Sequence, residues 1–267
     1  MVKSAVVLSI GAVALLMMMP TLALAAPVAR AAGSTLPFFT VTNSSSSNWA
    51  GYAVTGAKNS VTFVNGSWTQ PTATGCVAGK QQYASFWVGI DGYNSNSVEQ
   101  TGTDSDCNGA TATYYAWFEF YPNPSHTITT VPIHAGDVIY AQVSFSSTTL
   151  KFTVTLKDVT TSKSFTTSHA VRNAQRSSAE WIAEAPSSIG VLPLADFGTV
   201  HFGFQNTALA ATNSATVGGT TGVIGSFSTV VSIKMTGAHN SALVKAVTSA
   251  LSTDGTSFND TWKAAGP

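Results

Sequence analysis

The chain has 267 residues, Lys+Arg 12 balanced by Asp+Glu 12, and charged residues at only 9%, where an ordinary globular protein has about 25%. Neither sign is clustered, so the basic stripe of a nucleic-acid binder is missing and no DNA or RNA partner is expected. The length suits one large β-sandwich or barrel, and carboxylates this sparse leave few ion pairs to lose on acidification, which fits an acidic medium.

In chain order, Lys3, the apolar run Ala5 to Met19 and the small-x-small site Ala23-Leu24-Ala25 have the grammar of a secretory signal. Residues 1–25 are therefore read as a signal peptide. The mature chain is expected to be secreted, extracellular and monomeric, with no membrane contact after signal removal, because no later stretch is long and apolar enough to span a bilayer. Residues 26–46 are rich in Ala, Ser and Thr without periodicity, which reads as a short pro-segment or flexible arm. One domain then fills 47–267. Its strand-like runs are Val61 to Trp68, Tyr83 to Ile90, Thr111 to Tyr121, Val138 to Ser146, Leu150 to Lys157, Ser178 to Glu184, Thr199 to Gln205 and Ser228 to Met235. In Lys151 to Lys157, Phe152, Val154 and Leu156 point one way and polar residues the other, as in a half-buried antiparallel strand. Only Ala242 to Leu251 has helical spacing, and the Gly-rich Gly218 to Gly222 reads as a loop. The pattern predicts an all-β fold, a sandwich of two packed antiparallel sheets. Cys76 and Cys107 fit an oxidising compartment, where they can form one disulfide, and a bridge would remove both from catalysis.

The stretch Ser178-Ala179-Glu180-Trp181-Ile182-Ala183-Glu184 carries two acids in a chain with few. On a strand, Glu180, Ile182 and Glu184 share one face and could border a cleft; on a helix the same acids form a solvated surface pair. Several hydrolase signatures are absent from the sequence. There is no Gly-x-Ser-x-Gly elbow, no His-Glu-x-x-His, and no Asp-Thr-Gly or Asp-Ser-Gly, and the five His stand singly. No metal and no cofactor are expected.

Five motifs remain: Ser47-Asn48-Trp49-Ala50-Gly51, Phe86-Trp87-Val88-Gly89-Ile90-Asp91-Gly92, Val98-Glu99-Gln100-Thr101-Gly102, Tyr114 to Pro122, and Ala179-Glu180-Trp181-Ile182-Ala183-Glu184. In this order they resemble the glutamic peptidases, or eqolisins, over the chain from about Ser46 onward. The resemblance implies a concanavalin or jelly-roll-like β-sandwich that hydrolyses protein or peptide substrates in acid. It places the catalytic pair on Gln100 and Glu184, acidic positions near the site on Asp91 and Glu119, and cleft aromatics on Trp49 and Trp87. Chemically, a Glu carboxylate can take a proton from an attacking water and return it to the leaving nitrogen, while a Gln amide N–H donates to the developing oxyanion. Glu180 lies about 13 Å along the strand from Glu184, too far for a paired-carboxylate role, and reads as a cleft-edge or structural residue.

Other readings of the same residues stand beside this one. Asp91 also suits a turn before Gly92, Glu119 a structural hydrogen-bonding group, and the Trp residues a core. A non-catalytic carbohydrate-binding sandwich would use Trp49, Trp87 and Trp117 for stacking, and a two-carboxylate glycosidase would draw on Asp91, Glu119 or Glu184. One departure from the family pattern is Tyr115, which stands where relatives place an Asp.

Overall fold

The computed structural model describes residues 40–266. The expected signal peptide lies outside the described residues, as does most of the 26–46 arm, but the arm's last six residues form a strand, β1 (Val41–Ser46). The strands make two layers. The first runs β1, β16 (Val230–Thr236), β2 (Trp49–Thr55), β12 (Ser178–Glu184), β5 (Ser85–Ile90), β6 (Val98–Asn108), β7 (Thr111–Tyr121) and β8 (His126–Ile128), with the short β4 (Gln81–Gln82) also on β6. The second runs β17 (Val244–Thr248), β18 (Phe258–Trp262), β13 (Thr199–Phe202), β3 (Val61–Thr69), β9 (Val138–Ser146), β10 (Lys151–Asp158) and β11 (Lys163–His169). A hairpin of β14 (Ser214–Val217) and β15 (Thr220–Val223) extends β3. Pairing of β16 with β17 joins the layers into one continuous ladder, and β1 on β16 is parallel where the other ladders are antiparallel.

The inner faces meet in one apolar core. Tyr52, Phe86, Val88 and Trp181 come from the first layer, and Trp68, Ile139, Val143 and Phe202 from the second. Two indoles also bond across the layers: Trp68 Nε1 donates to Thr103 Oγ1 at 2.9 Å and Trp181 Nε1 to the Asn65 carbonyl at 2.7 Å. A buried indole N–H needs such a partner, so the donors fix the registration of the sheets as well as their packing.

The expected helix over Ala242 to Leu251 is a turn followed by β17. Ala246 there is fully buried and pairs with both Met235 and Trp262, so sheet pairing on two sides overrides a spacing that looks helical. The run expected from Thr199 to Gln205 stops at Phe202, where Phe204–Thr207 makes one helical turn. Gly218 and Gly219 are the two central residues of the β14–β15 hairpin, both at positive φ (59° and 80°), the conformation a tight hairpin turn requires. Cys76 and Cys107 are joined in a disulfide. Among the described residues, no helix is long and apolar enough to cross a membrane.

Candidate active site

Side chains on a strand alternate between faces, so register sorts the outer face of the first layer into rows. Across β2, β12, β5, β6 and β7, one row holds Trp49, Glu184, Ser85, Asp104 and Tyr115. The next holds Gly51, Ile182, Trp87, Gly102 and Trp117, and the third Ala53, Glu180, Gly89, Gln100 and Glu119. A cleft of about 440 Å³ lies over these rows, lined by Asn48, Trp49, Gln100, Asp104, Tyr115, Trp117, Glu119 and Glu184 among others. Gly102 makes the floor possible. A Cβ there would lie 2.2 Å from the Phe86 carbonyl oxygen and 2.6 Å from Trp87 Cβ, so any side chain would force β5 and β6 apart.

Glu184 is half-buried and held by two donors: Trp87 Nε1 donates to Oε2 at 2.7 Å and Asn48 Nδ2 to Oε1 at 3.0 Å. Burial dominates its acidity and raises the pKa to about 7. The Trp87, Trp49 and Asn48 N–H groups pull the other way, and the Glu119 charge adds to the rise. The Trp49 indole N–H acts on this carboxylate without making a hydrogen bond of its own, and its ring meets Trp87 edge-on with centroids 5.0 Å apart.

Gln100 is 7% exposed, and its Nε2 donates to Glu119 Oε2 at 2.6 Å. That bond fixes the amide plane, while Gln100 Oε1 is buried without a partner. Burial raises the Glu119 pKa, and the Gln100 donor offsets part of the rise.

A second polar cluster sits at the Asp104 end of the cleft. Trp117 Nε1 donates to Asp104 Oδ1 at 2.6 Å, and Tyr115 Oη lies 2.7 Å from Asp104 Oδ2 and 3.0 Å from Asp106 Oδ2. One hydroxyl hydrogen cannot serve two carboxylates, so one of the acids keeps its own proton and donates it to Tyr115. Asp106 is the better holder. Burial and then the Asp104 charge raise its pKa, whereas Asp104, also raised by burial, has the Tyr115, Ser85 and Trp117 donors to favour its anion.

The residues singled out from sequence divide in two. Gln100, Glu184, Glu119 and Trp49 meet in the cleft, with Trp87 fully buried directly behind Glu184. Asp91 and Glu180 do not line it. Asp91 is buried at the end of β5, where its carboxylate accepts from the Arg176 N–H (2.6 Å), the Ser177 N–H (2.8 Å) and the Ser177 hydroxyl (3.2 Å). Glu180 shares the outer face with Glu184 yet is fully buried. Trp87 and Trp117, at 0% and 7% exposure with their N–H groups engaged, have no open face for sugar stacking. Asn48 and Asp104 are cleft residues that sequence reasoning passed over. Both had a signal, Asn48 as the neighbour of Trp49 in its motif and Asp104 two alternations after Gln100 on one strand.

With this geometry in hand, comparison with known proteins is direct. The profile of the peptidase A4 family matches residues 47–262. The chain belongs to that family. It is 31% identical over 195 residues to aspergillopepsin-2 of Aspergillus niger, covering 65% of this chain and 67% of that protein. With scytalidopepsin B of Scytalidium lignicola it shares 34% over 143 residues, about half of each chain (52% and 51%). Among solved structures, scytalido-glutamic peptidase with a transition state analog inhibitor superposes with a TM-score of 0.64 at 24% identity, covering 81% of this chain and 98% of that one. Aspergilloglutamic peptidase from Aspergillus niger gives 0.54 at 30% identity, covering 68% and 99%. Membership makes this A4 chain a glutamic endopeptidase on a β-sandwich.

Proposed function

We propose that this A4 peptidase is exported and cleaves proteins in mildly acidic solution with Glu184 and Gln100 as its catalytic pair. The observation that carries the reading is one cleft holding both groups, each already oriented: Glu184 by Trp87 and Asn48, Gln100 by Glu119. Glu184 takes a proton from water as the oxygen attacks the peptide carbonyl. Gln100 has one amide hydrogen on Glu119 and gives the other to the oxyanion. Glu184 then returns the proton to the nitrogen as the C–N bond breaks. Export rests on the signal-like N-terminus and on the disulfide, which persists in oxidising compartments.

Acid action is supported by where the fold keeps its protons. Of the 12 acidic residues, seven (Glu99, Asp104, Asp106, Glu119, Glu180, Glu184 and Asp260) have pKa values raised, burial being the first cause in each. A carboxyl whose folded pKa exceeds its unfolded value of about 4 removes stability as pH rises between the two, by about 1.4 kcal/mol per pH unit. Glu99, Asp106, Glu180 and Asp260 are at most 5% exposed. Acting together they make the folded state lose stability as pH rises above ~4.5. Glu184 sets the opposite limb, because only its ionised form can act as base. Activity therefore climbs with pH toward neutrality until the fold gives way.

The test is digestion of an unfolded protein between pH 3 and 7 by the purified mature chain, by Glu184→Gln and by Gln100→Ala. Each variant is expected to fold and to lose activity by about 1000-fold or more. Substantial cleavage by either folded variant would remove that residue from the chemistry.

A further inference from the structure

Glu180 and Glu99 are fully buried, and none of their four carboxyl oxygens has a hydrogen-bond partner. They sit at the two ends of the 92–97 connection between β5 and β6, with the Tyr93 backbone N–H acting on Glu180 and the Ser97 hydroxyl on Glu99. The connection is a closed turn: the Gly92 N–H donates to Ser95 Oγ at 2.9 Å, and that hydroxyl donates to the Ser97 carbonyl at 3.2 Å. Its glycine, Gly92 at φ 112°, lies close against Trp49; a Cβ there would come within 2.8 Å of the indole Cη2. Trp49 in turn lies edge-on to Trp87, the donor to Glu184. A continuous line of contacts thus runs from two buried carboxyls, through the turn, to the indole wall of the proposed base.

We propose that protonated Glu180 is a positioning residue for the reaction: as a neutral group it lets the 92–97 turn close over it and press Gly92 onto Trp49, and its ionisation opens the turn and loosens the Glu184 side of the cleft. This rests on the reading of Glu184 as the base. The surroundings of Glu180 offer an anion only the Ser178 hydroxyl and the Tyr93 N–H, and no cation. On the β2 side, register places Ala53 and then Val231 beside it, and on the β5 side Gly89. The charged groups acting on Glu180 are Asp91 and Glu99, both of which disfavour a further negative charge; Arg176 is tied to Asp91 only through its backbone, and its guanidinium lies over the Phe145 ring. Burial, reinforced by Asp91 and Glu99, raises the Glu180 pKa well above its ordinary value, and the Ser178 hydroxyl and Tyr93 N–H offset only part of that rise. In the opened turn Glu180 meets water and ionises near pH 4.5, so each pH unit above this favours opening about tenfold.

The experiment is amide exchange of 92–97 against pH, corrected for intrinsic exchange, together with the pH profile of kcat/KM in Glu180→Gln. The amide stands in for the protonated acid. The variant is expected to stay within about threefold of the parent at pH 4, to lose about one tenfold step per pH unit from the exchange slope of 92–97, and to carry its alkaline limb to higher pH. An unchanged slope, or a changed slope with an unmoved limb, overturns the proposal. Should Glu180→Gln not fold, the parent decides: loss of protection at 92–97 ahead of β5 and β6 supports the proposal, and simultaneous loss overturns it. Glu184→Gln serves as a control. Its retained activity would sink the catalytic reading, whereas an inactive Glu184→Gln beside an unmoved Glu180→Gln profile would sink only the positioning role.

Discussion

The β9–β10–β11 wing of the second layer and the β12–β5–β6–β7 floor of the first are built from equally regular ladders but handle polarity in opposite ways. In the wing, β10 alternates strictly. Phe152, Val154 and Leu156 are fully buried, while Thr153 and Thr155 bond outward to Ser168 and Thr166. In the floor both faces are covered, and β6, with the sequence Val-Glu-Gln-Thr-Gly-Thr-Asp-Ser-Asp-Cys-Asn, is buried at nine of its 11 positions. Apolar burial is indifferent to pH; carboxyl burial is not. The wing therefore supplies stability at any pH, and the floor makes stability conditional on acid. The same strands carry the proposed chemistry.

If that division is right, truncating the wing should give a large, pH-independent loss. Leu156→Ala removes a fully buried side chain and should destabilise by about 2–5 kcal/mol. Urea unfolding at pH 4 and at pH 5.5 should return the same difference. A loss that grows with pH would tie the wing to the buried acids and break the comparison.

The floor should respond in the other sense. In Asp106→Asn the side-chain oxygen can still accept the Ala84 N–H, and the NH₂ can donate to Tyr115 as the protonated acid does. At pH 4 little change is expected. Above it the variant gains on the parent by about 1.4 kcal/mol per pH unit, because the folded parent holds a proton there that its unfolded chain releases. A variant less stable than the parent at pH 6 would place the shared proton on Asp104 instead.

The two regions also differ in how far the sequence reveals them. The wing is legible: β9 begins and ends where its apolar run does, and β10 follows from alternation alone. The floor is most legible where aromatic or β-branched residues dominate, as in β5 and β7. Nothing in the hydrophobic pattern of β6 marks a buried strand, and no strand is expected there from sequence; the Gln-Thr-Gly motif marks only Gln100. Within the site, motif matching put Gln100, Glu184, Glu119 and Trp49 near one another and gave the proton-carrying role to Glu184 rather than Glu180, but it left open whether Glu180 borders the cleft or lies beneath the surface. Both lie on one face of one strand. What divides them is burial, complete for Glu180 and partial for Glu184, a tertiary difference with no trace in local spacing. Likewise Val41–Ser46, polar and aperiodic, becomes a strand because β16 offers it an edge.

The smallest effect belongs to the outer surface of the wing and probes the comparison most finely. Thr155 Oγ1 and Thr166 Oγ1 lie 3.0 Å apart across β10 and β11, exposed to solvent. A cross-strand hydroxyl pair of this kind contributes about 0.2–1 kcal/mol, and water replaces much of the lost bond when one partner is removed. Thr155→Ala should therefore shift the unfolding midpoint slightly, leave the denaturant slope unchanged, and do so equally at pH 4 and pH 5.5. No titrating group takes part in this pair, so a pH-dependent shift would have to be transmitted from the floor through the shared core. Finding one would show that the two regions unfold as a single pH-coupled unit and that the wing's indifference to acid is only local.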